Sequence, residues 1–306
     1  MRPLHLQALQ TRLQSARRIL IHPCPGADAE VLGSAVALRD ALRETGPGVV
    51  LAMPESPPEP LGELLDLDPA EQDEAGDFDL ALRLEADGVL VVCPGSEDLH
   101  LSCGAGQDSR PTGPLTLGEM VFDLLEGLGS RLDGSVARAL YVAIAWATDS
   151  FQNDRLTPST HLRVGRLMES GLPADLLARR LFREDSLEFL RLLGKVLAGL
   201  MVALEGRVVF GEVFWPELGC LASEEDLPRR LAHRIDLVRR SELVVLSCER
   251  RDRTFQVLLR SRHLPAHQLA EFFGGTGGAR QAGFVSTGPP ARVRERLLEA
   301  LAHLGA

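Results

Sequence analysis

The sequence predicts a two-domain α/β protein: a parallel-sheet N-terminal domain carrying a helical block, then a smaller mixed α/β C-terminal domain. Three observations carry that expectation. A short apolar strand, a loop and an amphipathic helix follow one another over 18–42, the opening unit of a parallel sheet. Helical periodicity then runs from Leu115 to about Leu204, and strand-like runs return from Arg207 onward. The chain's 306 residues, 45% of them hydrophobic, are enough for two cores of ordinary size.

Each element has a local reason. Leu4 to Ala16 repeats leucine at helical spacing, and Arg18-Ile19-Leu20-Ile21-His22 is the apolar run of a first buried strand. Pro25 and Gly26 make a loop before the helix at 32–42. Val49 to Ala52, Phe78 to Leu84 and Val89 to Val92 read as further strands. Loops at Gly129-Ser130, Asn153-Asp154 and Gly171-Leu172-Pro173 divide the helical block. Arg207 to Val213, Leu243 to Ser247 and Phe255 to Leu259 are the strands of the second domain, and Ala291 to Leu304 is the final helix. The expected division is 1–184, a connector helix over 185–205, and 206–306.

Composition narrows the function classes. No stretch approaches the roughly 20 continuous apolar residues of a membrane span, and no basic segment followed by an apolar core opens the chain, so a cytoplasmic protein without a membrane partner is expected. Cys24, Cys93, Cys103, Cys220 and Cys248 form no CxxC pair, which argues against a disulfide framework or a structural zinc site. The net charge of −10 is uneven: residues 1–205 hold 18 basic and 31 acidic groups, whereas 206–306 hold 15 and 12. A basic excess in the second domain suits an anion-binding lobe, and equally suits an ordinary solvated face.

Several runs carry a more specific signal. Pro114-Leu115-Thr116-Leu117-Gly118-Glu119-Met120, Ala139 to Ile144, Asp149-Ser150-Phe151, Thr157-Pro158 and Leu190 to Leu197 together resemble the DHH/DHHA1 phosphoesterases, particularly the nanoRNase and pAp-phosphatase branch. The C-terminal part resembles a DHHA1 domain in the order of its elements. The resemblance implies a site for two manganese ions built from His and Asp side chains, because Mn²⁺ accepts O and N ligands and a metal pair clamps the attacking and leaving oxygens of phosphoryl transfer.

The motifs depart from that pattern. His22-Pro23-Cys24-Pro25-Gly26-Ala27-Asp28 keeps a His and an Asp of the first motif, and the shifted reading Asp28-Ala29-Glu30-Val31-Leu32-Gly33-Ser34 keeps two carboxylates and no His. In a non-metal reading, Asp28 and Glu30 cap the following helix and His22 is a capping or core residue. Glu85 stands where the family has a bridging Asp. The strand 89–92 runs into Cys93-Pro94-Gly95 instead of Asp-His-His, and the fourth motif places Ala147 at the ligand Asp, leaving Asp149 two residues on. His22, Asp28, Glu30, Glu85 and Asp149 are thus the metal-ligand candidates.

In the second domain Arg260-Ser261 matches an Arg-Ser pair. Gly274-Gly275-Thr276-Gly277-Gly278-Ala279-Arg280 matches a glycine loop in which Gly278 replaces the family's His. Arg260, Ser261, Gly274, Gly275, Gly277, Gly278 and Arg280 are therefore the phosphate-binding candidates, although a tight turn would use the same glycines.

Losses at four metal motifs and at that His imply a degenerate family member. Such a protein needs no cofactor, and binds a nucleotide, a short oligonucleotide or a protein partner without hydrolysis, with a homodimer as one form of partnership. The alternative is an active Mn²⁺-dependent enzyme acting on short RNA, pAp or a cyclic dinucleotide through a re-formed site.

Overall fold

In the computed structural model, which describes residues 3–53, 57, 60–67, 77–85, 88–92, 99–102, 116–153, 155–219, 221, 227–262, 264, 266–278 and 281–303, the chain divides into two units, Met1–Glu184 and Asp185–Ala306. The first unit runs α1 (Pro3–Ser15), β1 (Arg18–Pro23), α2 (Ala29–Thr45), β2 (Gly48–Leu51), α3 (Leu61–Leu64), β3 (Leu80–Glu85), β4 (Gly88–Val92) and β5 (Leu99–Ser102). Four helices complete it: α4 (Leu117–Gly127), α5 (Gly134–Ala147), α6 (Pro158–Met168) and α7 (Ala174–Phe182).

Its sheet has the order β2-β1-β3-β4-β5. Strands β2, β1 and β3 are mutually parallel, so the C-terminal ends of β1 and β3 emerge side by side at a topological switch point, the place where open α/β sheets hold their sites. Strand β4 turns back antiparallel on β3, pairing Glu85 with Gly88 and Ala81 with Val92, and β5 is antiparallel to β4. Two residues separate β3 from β4, far short of the dozen or more that a parallel crossover needs, so only a hairpin is possible.

That hairpin corrects the reading of the third motif. The strand expected over Val89–Val92, ahead of Cys93-Pro94-Gly95, points away from the ends of β1 and β3, because Val92 lies opposite the start of β3. Cys93, Pro94 and Gly95 themselves lie outside the described residues.

The helical block packs closely on α2. A Cβ on Gly33 would sit 2.6 Å from the Ala139 carbonyl oxygen, and one on Gly118 would sit 2.9 Å from Ala143 Cβ, so both glycines serve helix contact. Helix α4 opens with a capping box between Thr116 and Glu119, and α6 with one between Thr157 and Thr160. The two starts are tied together, since Thr160 Oγ1 donates to the buried Glu119 carboxylate at 2.6 Å.

The second unit comprises α8 (Leu187–Ala198), β6 (Met201–Ala203), β7 (Val208–Val213), α9 (Trp215–Leu218), α10 (Leu227–Ile235), β8 (Leu243–Glu249), β9 (Phe255–Ser261), α11 (Ala266–Phe272), β10 (Thr276–Gly277), β11 (Gln281–Ser286) and α12 (Pro290–His303). Its sheet has the order β10-β11-β9-β8-β7-β6, and only β7 and β8 run parallel. Alternate residues feed two cores, as the two-residue period of a strand requires. Leu243, Val245, Val257 and Leu259 meet α11 and α12 on one face, while Val244 and Leu246 meet α8 and α10 on the other.

Residues 185–205, expected as a connector helix, are α-helical over Leu187–Ala198 and belong to this second core. Phe189, Leu192 and Val196 are buried in it, and Met201–Ala203 turns into an edge strand on β7.

Candidate functional site

The loop from β1 into α2 brings Cys24, Asp28 and Glu30 to the switch point, and β3 delivers Glu85 beside them. Cys24 is anchored there by its amide, which donates to the Leu84 carbonyl at 3.0 Å. Burial raises the Cys24 thiol above its ordinary range, and the nearby charges of Asp28 and Glu85 raise it further, so the group is a poor thiolate. His22 is half-buried within β1, with Arg83 of β3 as its register partner.

Asp28 is the N-cap of α2. Its Oδ1 accepts from the amides of Glu30 at 3.1 Å and Val31 at 3.2 Å, and its extended backbone is that of a capping residue. Glu85 is half exposed and pairs with Arg83 of its own strand at 2.9 Å.

Glu30 is the most constrained member. It is 2% exposed, and its Oε1 accepts from the Leu117 amide at 2.7 Å, which satisfies the first turn of α4. Arg155 grips both of its oxygens, Nη1 to Oε2 and Nη2 to Oε1, each at 2.9 Å. Burial pushes the Glu30 carboxyl up to about 6 despite the opposing pull of Arg155. A cationic side chain thus stands against the carboxylate that the resemblance assigns to a metal.

Arg155 is the residue that motif reading missed. It is positioned by the turn after α5, where Asn153 Nδ2 donates to the Ala147 carbonyl at 2.9 Å and Asn153 Oδ1 accepts the Arg155 amide at 3.0 Å. Its charge in the Asn153-Asp154-Arg155 loop was the available signal, and nothing in one dimension paired it with a residue 125 positions earlier.

Asp149 lies in that same turn. Asp149, Ser150 and Phe151 have φ of 52°, 53° and 65°, three consecutive left-handed residues without a glycine. The turn is closed by the Ser150 amide on the Ala145 carbonyl at 2.8 Å and by the Phe151 amide on Thr148 Oγ1 at 3.3 Å. Helix α5 ends at Ala147, so it does not extend to bring Asp149 into the ligand position of the fourth motif.

Each described carboxylate near the switch point already has a partner within the chain. Among the described residues no three His, Cys, Asp or Glu side chains come together as a metal-binding group. Asp28 is committed to a helix cap, Glu85 to Arg83, and Glu30 to Arg155 and an amide.

The second-unit candidates also have structural partners. Ser261 is buried, donates to the Glu242 carbonyl at 3.1 Å and accepts the Leu264 amide at 2.8 Å. Arg260 pairs with Asp236 at 2.8 Å. Gly275 and Gly277 allow β10 to lie on β11: a Cβ on Gly275 would meet the Gly283 carbonyl oxygen, and Gly277 at φ 146° would crowd Ala282. Gly274 has φ 74°, and the Gly278 amide closes the hairpin on the Gln281 carbonyl at 2.8 Å. Arg280 lies outside the described residues.

No protein-family profile and no curated protein matches the chain. Among solved structures, an exopolyphosphatase-related protein from Bacteroides fragilis matches with a TM-score of 0.80 at 18% identity, over 98% of this chain and 97% of its own. RecJ from Thermus thermophilus in complex with Mn²⁺ gives 0.43 at 15% identity, over 98% of this chain and 54% of RecJ. A pGpG-specific phosphodiesterase from Vibrio cholerae gives 0.42 at 11%, over 93% and 97%. At such identities the likeness is one of fold, and the first match carries it across almost the full length of both chains. The chain shares the two-domain α/β fold of that exopolyphosphatase-related protein.

Proposed function

We propose that this chain is a non-hydrolytic protein on a phosphoesterase scaffold, recognising a nucleotide, a short oligonucleotide or a protein partner without cleaving it. One observation carries the reading: Arg155 and the Leu117 amide occupy the Glu30 carboxylate, at 2.9, 2.9 and 2.7 Å. A two-metal mechanism needs carboxylates free to bridge cations, and here the innermost one already neutralises a guanidinium.

Hydrolysis of di- to pentaribonucleotides, pAp and cyclic dinucleotides, followed by chromatography with Mn²⁺ present, tests the proposal. No turnover above the protein-free rate is expected. Mn²⁺-dependent turnover that disappears in Asp28→Ala or Glu30→Gln would overturn it, and would favour an active phosphoesterase with a re-formed metal site.

A further inference from the structure

The second unit carries a cavity that the family motifs do not account for. It is a solvent-open groove of about 420 Å³ where the starts of β7 and β8 meet the end of β9, and Glu205, Arg207, Arg240, Ser241, Glu242 and Arg262 line it. Charge there is uneven. Arg207 pairs with Glu242 at 2.8 Å, while Arg262 and Arg260 share the single carboxylate of Asp236, at 3.2 and 2.8 Å. Arg240 makes no ion pair among the described residues, and the wall as a whole sets three guanidiniums, of Arg207, Arg240 and Arg262, against the two carboxylates of Glu205 and Glu242.

A second observation is independent of charge. Ser241 is 2% exposed, and its Oγ has no hydrogen-bond partner among the described residues, a state that folded proteins seldom tolerate without a reason. Glu205 and Arg240, both on the wall, are held at φ 57° and 69°, a left-handed conformation that non-glycine residues keep only when their surroundings impose it.

We propose that this cavity binds a phosphate group, either inorganic phosphate or the terminal phosphate of a monoester. The guanidinium fork of Arg240 matches two phosphate oxygens. The Ser241 hydroxyl gains its missing acceptor by rotating about χ1 toward the cavity its own residue lines. The site uses neither Ser261 nor the glycine loop, and it stands whether or not the first unit hydrolyses anything.

Isothermal titration calorimetry and thermal unfolding of the full chain with inorganic phosphate, 5′-AMP and adenosine, at ionic strength held constant with NaCl, test it. Phosphate or 5′-AMP is expected to bind and raise the unfolding temperature, since a ligand of the folded state alone stabilises it, and adenosine is not. Binding of phosphate without AMP assigns free phosphate, and the reverse assigns a monoester. Arg240→Gln is expected to weaken binding about tenfold or more, the value of one charge-assisted contact. Arg250→Gln, beyond the far end of β8, is expected to change nothing. Ser241→Ala removes only an unpaired hydroxyl, so it keeps the test open should the arginine variant fold poorly, and it is expected to weaken phosphate several-fold. Unchanged affinity in both variants, equal binding of adenosine, or a phosphate effect reproduced by chloride at the same ionic strength overturns the proposal.

Discussion

Replacing Arg155 by alanine strips Glu30 of two contacts at 2.9 Å and leaves a carboxylate, 2% exposed, with the Leu117 amide at 2.7 Å. Removing one partner of a buried ion pair costs about 3–5 kcal/mol. The Arg155 side chain is itself 33% exposed, which lets water replace part of its contact and places the expected loss at the low end, about 3 kcal/mol. Protonation relieves an unpaired buried acid, so the loss should be smaller at pH 5 than at pH 8. Urea unfolding followed by circular dichroism at both pH values measures this. Adding Glu30→Gln to Arg155→Ala should recover most of the stability at pH 8, because the amide oxygen still accepts from Leu117 without carrying charge. A loss under about 1 kcal/mol at pH 8, or a loss independent of pH, would refute the idea that Arg155 is the counter-charge of this site.

Three further outcomes follow from the same structure. The Glu30 carboxyl is raised from 4.5 to about 6, so the native state binds the extra proton, and stability from this group falls as pH rises from 4.5 to 6; relative to Glu30→Gln, wild type should lose about 2 kcal/mol across that window in urea titrations. Asp28→Ala removes the N-cap of α2 and should lower stability by about 1 kcal/mol, read from the urea midpoint. Gly33→Ala would press a Cβ to 2.6 Å from the Ala139 carbonyl oxygen, and should lower stability by about 1–3 kcal/mol in the same assay through overpacking between α2 and α5.

Much of the architecture was legible because it rests on local chemistry. Thr116 with Glu119, Thr157 before Pro158, and Asp28 ahead of an apolar run are helix-start signals, and α4, α6 and α2 begin there. The run Ile19 to Ile21 is buried strand for the same reason that it is continuously apolar. The direction of β4 was less legible. Its apolar residues suit either orientation, and the two-residue gap after Glu85 decided for a hairpin. Helix α8 extended less far than its leucines suggested, since Met201–Ala203 found a partner in β7 that no local pattern announces. The candidate site was legible as a set of residues and not as a set of roles. Asp28 and Glu30 read from sequence as ligands or caps, and the cap alternative matches the contacts of Asp28.

What the sequence determined by itself is the fold: its strand, helix and cap signals are short-range, and each acts within a few residues of its cause. What only the tertiary structure decided is the state of the site. Glu30 meets Leu117 and Arg155 across 87 and 125 residues, and the burial that raises its carboxyl comes from helices brought together by packing. Charge balance at a buried position depends on which groups the fold places within about 3 Å of one another, a property that no linear spacing carries.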